Sequence, residues 1–260
     1  MLTHLRQLVR YREAIRTMVA RDLTVRYSNS ALGVLWSLFN PLLMTAVYTL
    51  VFTFLFRNSI AHFPIFFLAG LLPWNFFVGA TLGSVGSIAG NGHLISRVYF
   101  PRDILPLAVV LANLVNFLLA FIVLFALALV YRLPLNLSLF ALPVVILLQC
   151  GFCFGLGLFL AALNVHFRDT QQVVEVLVQA WFFVTPIIYP IEFIKTVELR
   201  VIVEALNPMA ALIGGYRAIL YAGQFPDWRV LEVTALEVLV LLVFGYWFFH
   251  KNSANFVEQL

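Results

Sequence analysis

One stretch in the C-terminal half of the sequence spaces polar and aromatic side chains so that they share a helical face. Its members recur every three or four residues and are Gln172, Glu175, Gln179, Phe182, Pro186 and Tyr189. Glu175 lies about one turn inside an apolar segment, where a carboxylate is costly unless it faces protein or water. The stripe is therefore predicted to line a hydrophilic path, with a helix-packing face or interfacial aromatic residues as the alternatives. Glu175 is also a candidate proton-transfer group.

An earlier apolar stretch carries a similar stripe, and we expect the two stripes to line one path. The second stripe consists of Ser37, Asn40, Met44, Tyr48 and Phe52. It lies in the uncharged run from Ala31 to Phe56, which exceeds the roughly 20 residues that a helix needs to cross the hydrocarbon core of a bilayer. Both stripes must therefore be positioned by membrane-spanning helices.

Composition excludes a water-soluble domain. Hydrophobic residues make up 63% of the 260 residues and charged residues only 11%, against about 25% charged residues in a typical soluble domain. The arginines lie at the ends of apolar segments and form no single patch, so nucleic-acid binding is not expected. The chain is predicted to be a polytopic membrane protein.

The sequence contains no motif for a cofactor, a metal or an enzymatic reaction. Lys195 and Lys251 are the two lysines, and neither lies in a Gly-x-x-x-x-Gly-Lys-Ser/Thr context, so no P-loop is present. Cys150 and Cys153 lie in an apolar run and the histidines are scattered, whereas a zinc site needs more ligands than two thiols. Energy for an uphill step must therefore come from a partner protein or from an ion gradient.

The predicted fold is an all-α integral membrane protein that forms a single transmembrane domain over residues 1–260. Six spans are expected, at about 31–56, 63–86, 104–131, 139–163, 171–190 and 229–250. Pro64 and Pro73 predict a kinked or broken start of the second span. Arginines concentrate before the first span and in short loops on the same side, so both termini, including the tail 251–260, are predicted to be cytoplasmic.

Two further segments are expected at the membrane surface. Residues 1–30 place apolar and basic positions at near-helical spacing and predict a basic amphipathic helix in the interface, with an ordinary basic flank as the alternative. Residues 191–228 are too polar to span and too apolar for a plain loop. They predict two short outer helices, broken at Asn207-Pro208 and partly re-entrant, with the break buried in protein. The alternative is an outer loop with one amphipathic helix.

Two motifs carry a resemblance to a known family. The first, Arg-Asp-Leu-x-x-Arg-Tyr followed by Leu-Gly-x-x-Trp-x-x-x-x-Pro, comprises Arg21, Asp22, Arg26, Tyr27, Leu32, Gly33, Trp36 and Pro41. The second, Leu-Ile-x-x-x-x-Phe-Pro-Arg, comprises Leu94, Ile95, Phe100, Pro101 and Arg102. It lies in a polar segment at 88–106 that is expected to begin as a short helix over 88–99. Both motifs resemble the membrane subunits of ABC exporters for O-antigen, capsule and teichoic acid polysaccharides.

The resemblance implies partners for the chain. Two copies of a separate ATP-binding subunit would dock on the segment 88–106 and on the turn 164–172. The implied ATPase-coupling residues are Leu94, Ile95, Arg97, Phe100, Pro101, Arg102, Arg168 and Asp169. A plain connecting loop and a local ion pair between Arg168 and Asp169 are the alternatives. The resemblance also implies a homodimer, because six spans are about half of a typical ABC membrane domain, and the path would run between the two copies.

The resemblance further implies a substrate and a location. The chain would lie among the lipids of a bacterial inner membrane and export a lipid-linked polysaccharide, whose sugar rings suit aromatic and polar stripes. Arg21 and Arg26 would meet the lipid diphosphate near the headgroups, because arginine binds phosphate with a fork of donors. In this family, paired outer gate helices stand at the place of residues 191–228. An ABC exporter of a drug or lipid and an ion-coupled secondary transporter are the alternative functions.

Overall fold

The computed structural model describes residues 10–28, 30, 32–52, 60–97, 100–133, 136–194, 196–254 and 256–259. All regular structure in these ranges is helical, in agreement with the predicted all-α class. In chain order the helices are α1 (Arg12–Tyr27), α2 (Trp36–Leu50), α3 (Phe63–Val85), α4 (Gly92–Arg97), α5 (Ile104–Val130), α6 (Leu142–His166), α7 (Thr170–Val184), α8 (Val197–Leu206), α9 (Pro208–Leu220), α10 (Trp228–Ser253) and α11 (Phe256–Gln259).

Helices that can cross a membrane account for five of the six predicted spans. In the described ranges, the segments that are long and apolar enough are Gly33–Leu50, Phe63–Val85, Ile104–Val130, Leu137–His166 and Trp228–Ser253. The last four lie within a few residues of the predicted bounds. The first is described only in part, because residues 53–59 lie outside the described ranges.

The remaining predicted span, 171–190, is only partly helical. α7 has 15 residues, which is about 22 Å of helix and shorter than the hydrocarbon core of roughly 30 Å. The helix ends at Val184 because Pro186 has no N–H to donate and disfavours a helical conformation of Thr185. Thr185 is accordingly extended, with φ −90° and ψ 131°. The described helices therefore do not confirm a count of six spans.

α3 forms the centre of the bundle. It packs against α2, α5, α6, α7 and α9, and its buried side chains point in all directions, including Phe67 and Phe77, which have no exposed surface. A helix surrounded by other helices needs no polar face, which explains why the sequence of α3 has no amphipathic pattern. By contrast, α10 packs on α6 and α9 and leaves Val240 and Phe244 exposed.

Glycines allow α6 and α10 to approach closely. Gly155 of α6 lies against Gly245 of α10, and a Cβ at Gly245 would collide with the carbonyl oxygen of Gly155. Gly151 faces Val238 of the same neighbouring helix. Gly151 and Gly155, four residues apart on one face of α6, therefore form a small-residue packing face whose partner is α10.

The predicted break at the start of the second span is wrong, because α3 continues without interruption past Pro73. Pro64 lies in the first turn, where a backbone N–H would have no helical partner in any case. The carbonyl of Pro73 accepts a hydrogen bond from Gln149 Nε2 at 2.7 Å, and Gln149 Oε1 accepts one from the Tyr216 hydroxyl at 2.8 Å. This buried chain of hydrogen bonds links α3, α6 and α9.

The segment 191–228 contains the two short helices that the sequence predicts, α8 and α9, which meet at Asn207. Asn207 is buried, and its carboxamide oxygen accepts hydrogen bonds from Trp181 Nε1 at 2.9 Å and from the backbone N–H of Ala210 at 3.2 Å. Its amide nitrogen donates to Thr185 Oγ1 at 3.0 Å. The break between α8 and α9 is thus satisfied within the protein and is fixed to the end of α7.

Candidate functional site

The end of α1 binds to α5 through two side-chain hydrogen bonds. Arg26 Nη2 donates to Asn113 Oδ1 at 3.2 Å, and the Tyr27 hydroxyl donates to Asn116 Oδ1 at 2.6 Å. Both asparagines lie about 14–18 Å along α5 from its first residue, at 1.5 Å per residue. The predicted N-terminal helix is confirmed over the described part of residues 1–30, of which 1–9 lie outside the described ranges. The sequence predicts that this helix lies in the membrane interface, and that prediction does not include the observed contact of its end with the middle of α5.

A polar pocket of about 320 Å³ lies at this contact, between α1, α2, α3 and α5. Its polar lining consists of Arg26, Tyr27, Ser37, Asn40, Asn75, Asn113 and Asn116. The pocket brings Arg26, a predicted phosphate ligand, together with Ser37 and Asn40, which are predicted to line a path. Amides and hydroxyls both donate and accept hydrogen bonds, and Arg26 adds a positive charge. The polar pocket can therefore bind a hydroxyl-rich or anionic group.

Three asparagines of the polar pocket, Asn75, Asn113 and Asn116, belong to neither of the stripes found in the sequence. The sequence nevertheless marks them, because each is an amide side chain inside an apolar span. Burying such a polar group in a membrane without a hydrogen-bond partner costs free energy. Their convergence is set by the fold, which brings α3 and α5 to the same place as α1 and α2. Asn116 Nδ2 is buried and has no hydrogen-bond partner in the described part of the chain, so it offers a donor to a ligand.

The orientation of Asn113 is fixed from two sides. Its Nδ2 donates to the carbonyl of Val109 at 2.9 Å, and Gly79 of α3 leaves the space that the carboxamide occupies, since a Cβ there would collide with Asn113 Oδ1. The oxygen is thus held where Arg26 reaches it, and only one nitrogen of the guanidinium is used for this bond. Arg21, the other predicted phosphate ligand, is exposed and does not line the polar pocket.

The predicted stripe on α2 divides into two parts. Its first two members line the polar pocket, and Met44 is 47% exposed. Tyr48 stacks on Phe67 of α3 with ring centroids 4.6 Å apart, and Phe52 stacks on Phe63 at 5.4 Å. In one copy of the chain, the second half of the stripe is therefore an aromatic packing face against α3.

The polar part of the predicted stripe on α7 lies on an open face. Gln172 and Gln179 are exposed, and Glu175 is half-buried. Glu175 Oε1 accepts a hydrogen bond from Gln171 Nε2 at 3.1 Å. Because α2 and α7 both pack against α3, the two stripes flank the same central helix.

The aromatic part of the α7 stripe points toward the protein. Phe182 packs edge-on against Trp74 of α3, with ring centroids 5.7 Å apart. Tyr189 lies beyond the end of the helix, and its hydroxyl donates to the carbonyl of Phe183 at 3.1 Å. Pro186, between them, belongs to the non-helical stretch. The regular stripe predicted over 171–190 therefore holds only as far as the helix does.

The predicted ATPase-coupling residues gather at the end of the bundle that carries α4. α4 has six residues and is shorter than the predicted helix 88–99, of which residues 98–99 lie outside the described ranges. Ile95 is buried and Arg97 is exposed. The half-buried members of the set are Leu94, Phe100, Pro101 and Arg102. The segment thus presents one face to the bundle and keeps another open to a partner.

Arg168 and Asp169 lie at the turn between α6 and α7, and both are exposed. In the ranges that the structure describes, ion pairs join Arg12 to Glu13 and His250 to Asp103, and none joins Arg168 to Asp169. The turn lies at the same end of the bundle as α4, since Ile95 of α4 packs in one apolar cluster with Ala162 and Val165 at the end of α6. The two predicted docking elements are therefore neighbours.

At the other end of the bundle, Arg217 of α9 fixes the chain that follows α7. Its Nη1 donates to the carbonyl of Pro186 at 2.6 Å, and its Nη2 donates to the carbonyl of Ile187 at 2.5 Å. The guanidinium also lies over the ring of Phe66 in α3, with Cζ 3.7 Å from the ring centroid. No spacing pattern in 191–228 marks Arg217, because its acceptors come from a non-helical stretch elsewhere in the sequence.

A second cavity, of about 560 Å³, lies beside Arg217 and is lined by parts of α8, α9 and α10. Its wall includes the carboxylates of Glu192, Glu204 and Asp227. Burial raises the pKa of Glu204, and the carboxylates of Asp227 and Glu192 raise it further, against the opposing effect of Arg200. Carboxylates accept hydrogen bonds from hydroxyl groups, so hydroxyl-rich ligands suit this cavity as well.

Comparison with known proteins gives a family and several relatives. The sequence profile of the family described as ABC-2 type transporter matches residues 13–221. The chain is 38% identical to the O-antigen export system permease protein RfbA of Myxococcus xanthus over 260 residues, which cover 100% of both chains. It is 31% identical to the protein of the same name from Klebsiella pneumoniae, over 92% of each chain. It is 23% identical to the polysialic acid transport protein KpsM of Escherichia coli, over 89% of this chain and 90% of that protein.

Proposed function

Because the chain belongs to the ABC-2 type transporter family, we propose that it is the membrane subunit of an ATP-driven exporter of a lipid-linked cell-surface polysaccharide. The observation that carries this proposal is the full-length similarity to an O-antigen export system permease. The polar pocket supports it, because amides, hydroxyls and one arginine inside an apolar bundle suit a hydroxyl-rich ligand with an anionic end. The chain has no P-loop, so ATP hydrolysis is assigned to a separate subunit.

Two copies of the chain and two ATP-binding subunits make up the proposed exporter. Gln172 and Gln179 are exposed on α7, and amides at membrane depth do not face lipid. A second copy covers this face, and the path runs between the stripes of the two copies. Residues 185–190 complete the membrane crossing that α7 begins, which gives six spans with both termini in the cytoplasm of a bacterial cell.

ATP binding drives the transport step through α4. The ATP-binding subunits come together and move the segment 88–106, with which the turn at Arg168 and Asp169 makes a second contact. α4 lies between α3 and α5 in the chain, so a displacement of α4 acts on both helices. α3 carries Asn75, and α5 carries Asn113 and Asn116. The same displacement therefore reshapes the polar pocket and opens the path to the polymer.

The lipid diphosphate at the end of the polymer meets α1. Arg21 is exposed and attracts it at the headgroup level, and Arg26 holds it at the polar pocket, where donors of its guanidinium fork remain for phosphate oxygens. At the far end, α8 and α9 form a partly re-entrant outer gate. Asn207 and Arg217 bind this gate to the residues that follow α7, so that a movement of α7 reaches it.

The first test is co-purification of the tagged chain with its ATP-binding subunit in mild detergent. The ATP-binding subunit is expected to accompany the wild-type chain and to be lost when residues 94–102 are scrambled. A matched control scrambles the exposed positions near the start of α10, where no ATPase contact is proposed. The second readout is surface polysaccharide in cells that lack their own permease and express this chain together with the ATP-binding subunit.

Two outcomes would overturn the proposal. The first is a folded chain that retains no ATP-binding subunit in any detergent that preserves its unfolding temperature. The second is transport that continues without ATP, follows the proton gradient and is lost in Glu175→Gln. That result would favour an ion-coupled carrier with Glu175 as its proton site.

A further inference from the structure

The coupling segment, defined as residues 88–106, is covered by a side chain from much later in the sequence. Phe256 of α11 has no exposed surface and packs in one apolar cluster with Ile88, Ile95 and Leu105. α11 contacts both α4 and α6. The match to the ABC-2 type transporter profile ends at residue 221, so it assigns no role to α11.

Two residues with predicted coupling roles also contact Phe256 or its cluster. The guanidinium carbon of Arg102 lies 5.8 Å from the centroid of the Phe256 ring, within the range of a cation–π contact. Phe100 packs against the same cluster. Phe249 stacks edge-on with Phe256, with ring centroids 5.3 Å apart. The coupling segment is therefore joined through Phe256 to α10.

An ionisable pair joins the same parts of the chain. Asp103 immediately precedes α5, and its side chain is 2% exposed. Its Oδ2 lies 3.7 Å from Nε2 of His250 in α10. Burial of a carboxylate is unfavourable without a compensating polar group, so this pair supports the contact between the last turns of α10 and the start of α5.

α4 depends on such contacts for its position. Isolated helices shorter than about 12–15 residues are marginal in water, and α4 has six residues. Tertiary packing must therefore hold it in place. A coupling segment without this packing would move with the ATP-binding subunit and pass much less of that movement on to α3 and α5.

We propose that His250 and Phe256 form a latch that holds the coupling segment against α5 and α6, so that movement of the ATP-binding subunit reaches the membrane spans. This inference rests on the proposed function, because the latch matters only if the coupling segment receives that movement. Phe256 and His250 are positioning residues, since both act through the coupling segment and neither lines the polar pocket.

The test uses Phe256→Ala in the complete complex with its ATP-binding subunit, in membrane vesicles. Export and ATP hydrolysis are measured on the same vesicles. The polysaccharide exported per ATP hydrolysed is expected to fall roughly tenfold, because truncation of a fully buried phenylalanine shifts a two-state contact by at least that factor. A loss of folded protein would lower export and hydrolysis together, so their ratio reports coupling alone.

Three variants accompany this measurement. Phe256→Leu keeps an apolar side chain and is expected to retain most of the export per ATP. Gln259→Ala changes an exposed position of the same helix and is the matched control, with no expected effect. His250→Gln removes the ionisable partner of Asp103 and is expected to lower the ratio less than Phe256→Ala does.

The outcomes separate the latch from the proposed function. An unchanged ratio in Phe256→Ala overturns the latch, and so does release of the ATP-binding subunit by this variant, which would assign Phe256 a role in folding the docking surface. If scrambling residues 94–102 fails to release the ATP-binding subunit, the proposed coupling site fails whatever Phe256 does. Release by the scramble together with a lowered ratio in Phe256→Ala supports both.

Discussion

Arg217 and Arg26 bind to the bundle at two different levels, and the two guanidinium groups are bound in different ways. Two nitrogens of Arg217 donate hydrogen bonds to the carbonyls of Pro186 and Ile187, and the ring of Phe66 covers the flat face of the guanidinium group. One nitrogen of Arg26 donates a hydrogen bond to Asn113, and the side chain of Arg26 lines the polar pocket. An arginine whose donors are engaged by the backbone stabilises the fold, whereas an arginine with free donors can bind a ligand.

The hydrogen-bond acceptors of the two arginines also differ in how much they depend on the arginine. The carbonyls of Pro186 and Ile187 belong to buried residues in the non-helical stretch after α7, so they depend on Arg217 for donors. Asn113 keeps a hydrogen bond of its own to the carbonyl of Val109. Loss of Arg217 should therefore lower stability much more than loss of Arg26 does, and loss of Arg26 should lower transport without a comparable loss of stability.

The largest expected effect on stability is that of Arg217→Ala. The substitution leaves two buried carbonyls without donors, and we expect the free energy of unfolding in detergent to fall by about 3 kcal/mol. Arg217→Lys should lose an intermediate amount, because an ammonium group cannot span both carbonyls as a fork does. Arg229→Ala removes an exposed arginine and should change stability by less than about 0.5 kcal/mol. An Arg217→Ala protein as stable as the wild type would contradict this prediction.

The next effect is expected for Gly79→Ala, which sharpens the comparison by displacing the acceptor of Arg26. The added methyl group would collide with Asn113 Oδ1, and overpacking of this kind costs about 1–3 kcal/mol. Export should fall further than stability alone explains, because the carboxamide must rotate away from Arg26. Gly214→Ala is the matched stability control, since a Cβ at Gly214 has open space around it. Equal stability losses in both variants would show that Asn113 is free to move.

Arg26→Gln tests whether Arg26 contributes to transport more than to stability. Its hydrogen bond to Asn113 lies at a part-buried site, and its loss should change the free energy of unfolding by no more than about 1 kcal/mol. Export should fall about tenfold or more, because a hydrogen bond to a charged group contributes about 1.5–3 kcal/mol. The measurements are unfolding in detergent and the initial rate of export. A stability loss as large as that of Arg217→Ala would make Arg26 a structural residue.

The sequence predicts the long spans of this molecule better than it predicts where α7 ends. Long apolar runs fix α3, α5, α6 and α10 to within a few residues, because a helix is the structure that satisfies the backbone inside a membrane. The sequence pattern predicts the end of α7 too late, since the stripe continues at helical spacing to Tyr189 while Pro186 stops the helix at Val184. A side-chain period reports a helix only where the backbone can form one.

The candidate site was less predictable, because its residues converge from separate helices. Ser37, Asn40 and Arg26 were identified from spacing or resemblance, and the fold brings them to one pocket. Asn75 and Asn113 show in the sequence only as isolated amides, and their meeting depends on how α3 and α5 cross. Tyr48 continues the α2 stripe in the sequence, yet its ring packs on α3, where it stacks on the ring of Phe67.

The smallest expected effect is that of Arg21→Gln, which asks whether the two predicted phosphate ligands act as one site. Arg21 precedes Arg26 by five residues, which turns it about 140° around α1 at 3.6 residues per turn, and it is exposed. Its attraction for a diphosphate is screened by salt. At low ionic strength, export by the variant should therefore be only about twofold slower than export by the wild type, and at high salt this difference should shrink. Stability should stay within about 0.5 kcal/mol of wild type.

The double variant Arg21→Gln with Arg26→Gln decides this last point. Residues that do not share a ligand contact have additive effects, within about 0.3–0.5 kcal/mol. Because the two arginines lie on different faces of α1 and only Arg26 lines the polar pocket, their effects on the rate of export should add. A double variant no worse than Arg26→Gln alone would mean that both guanidinium groups hold the same phosphate. That result would require α1 to turn during transport, since its present orientation presents only Arg26 to the pocket.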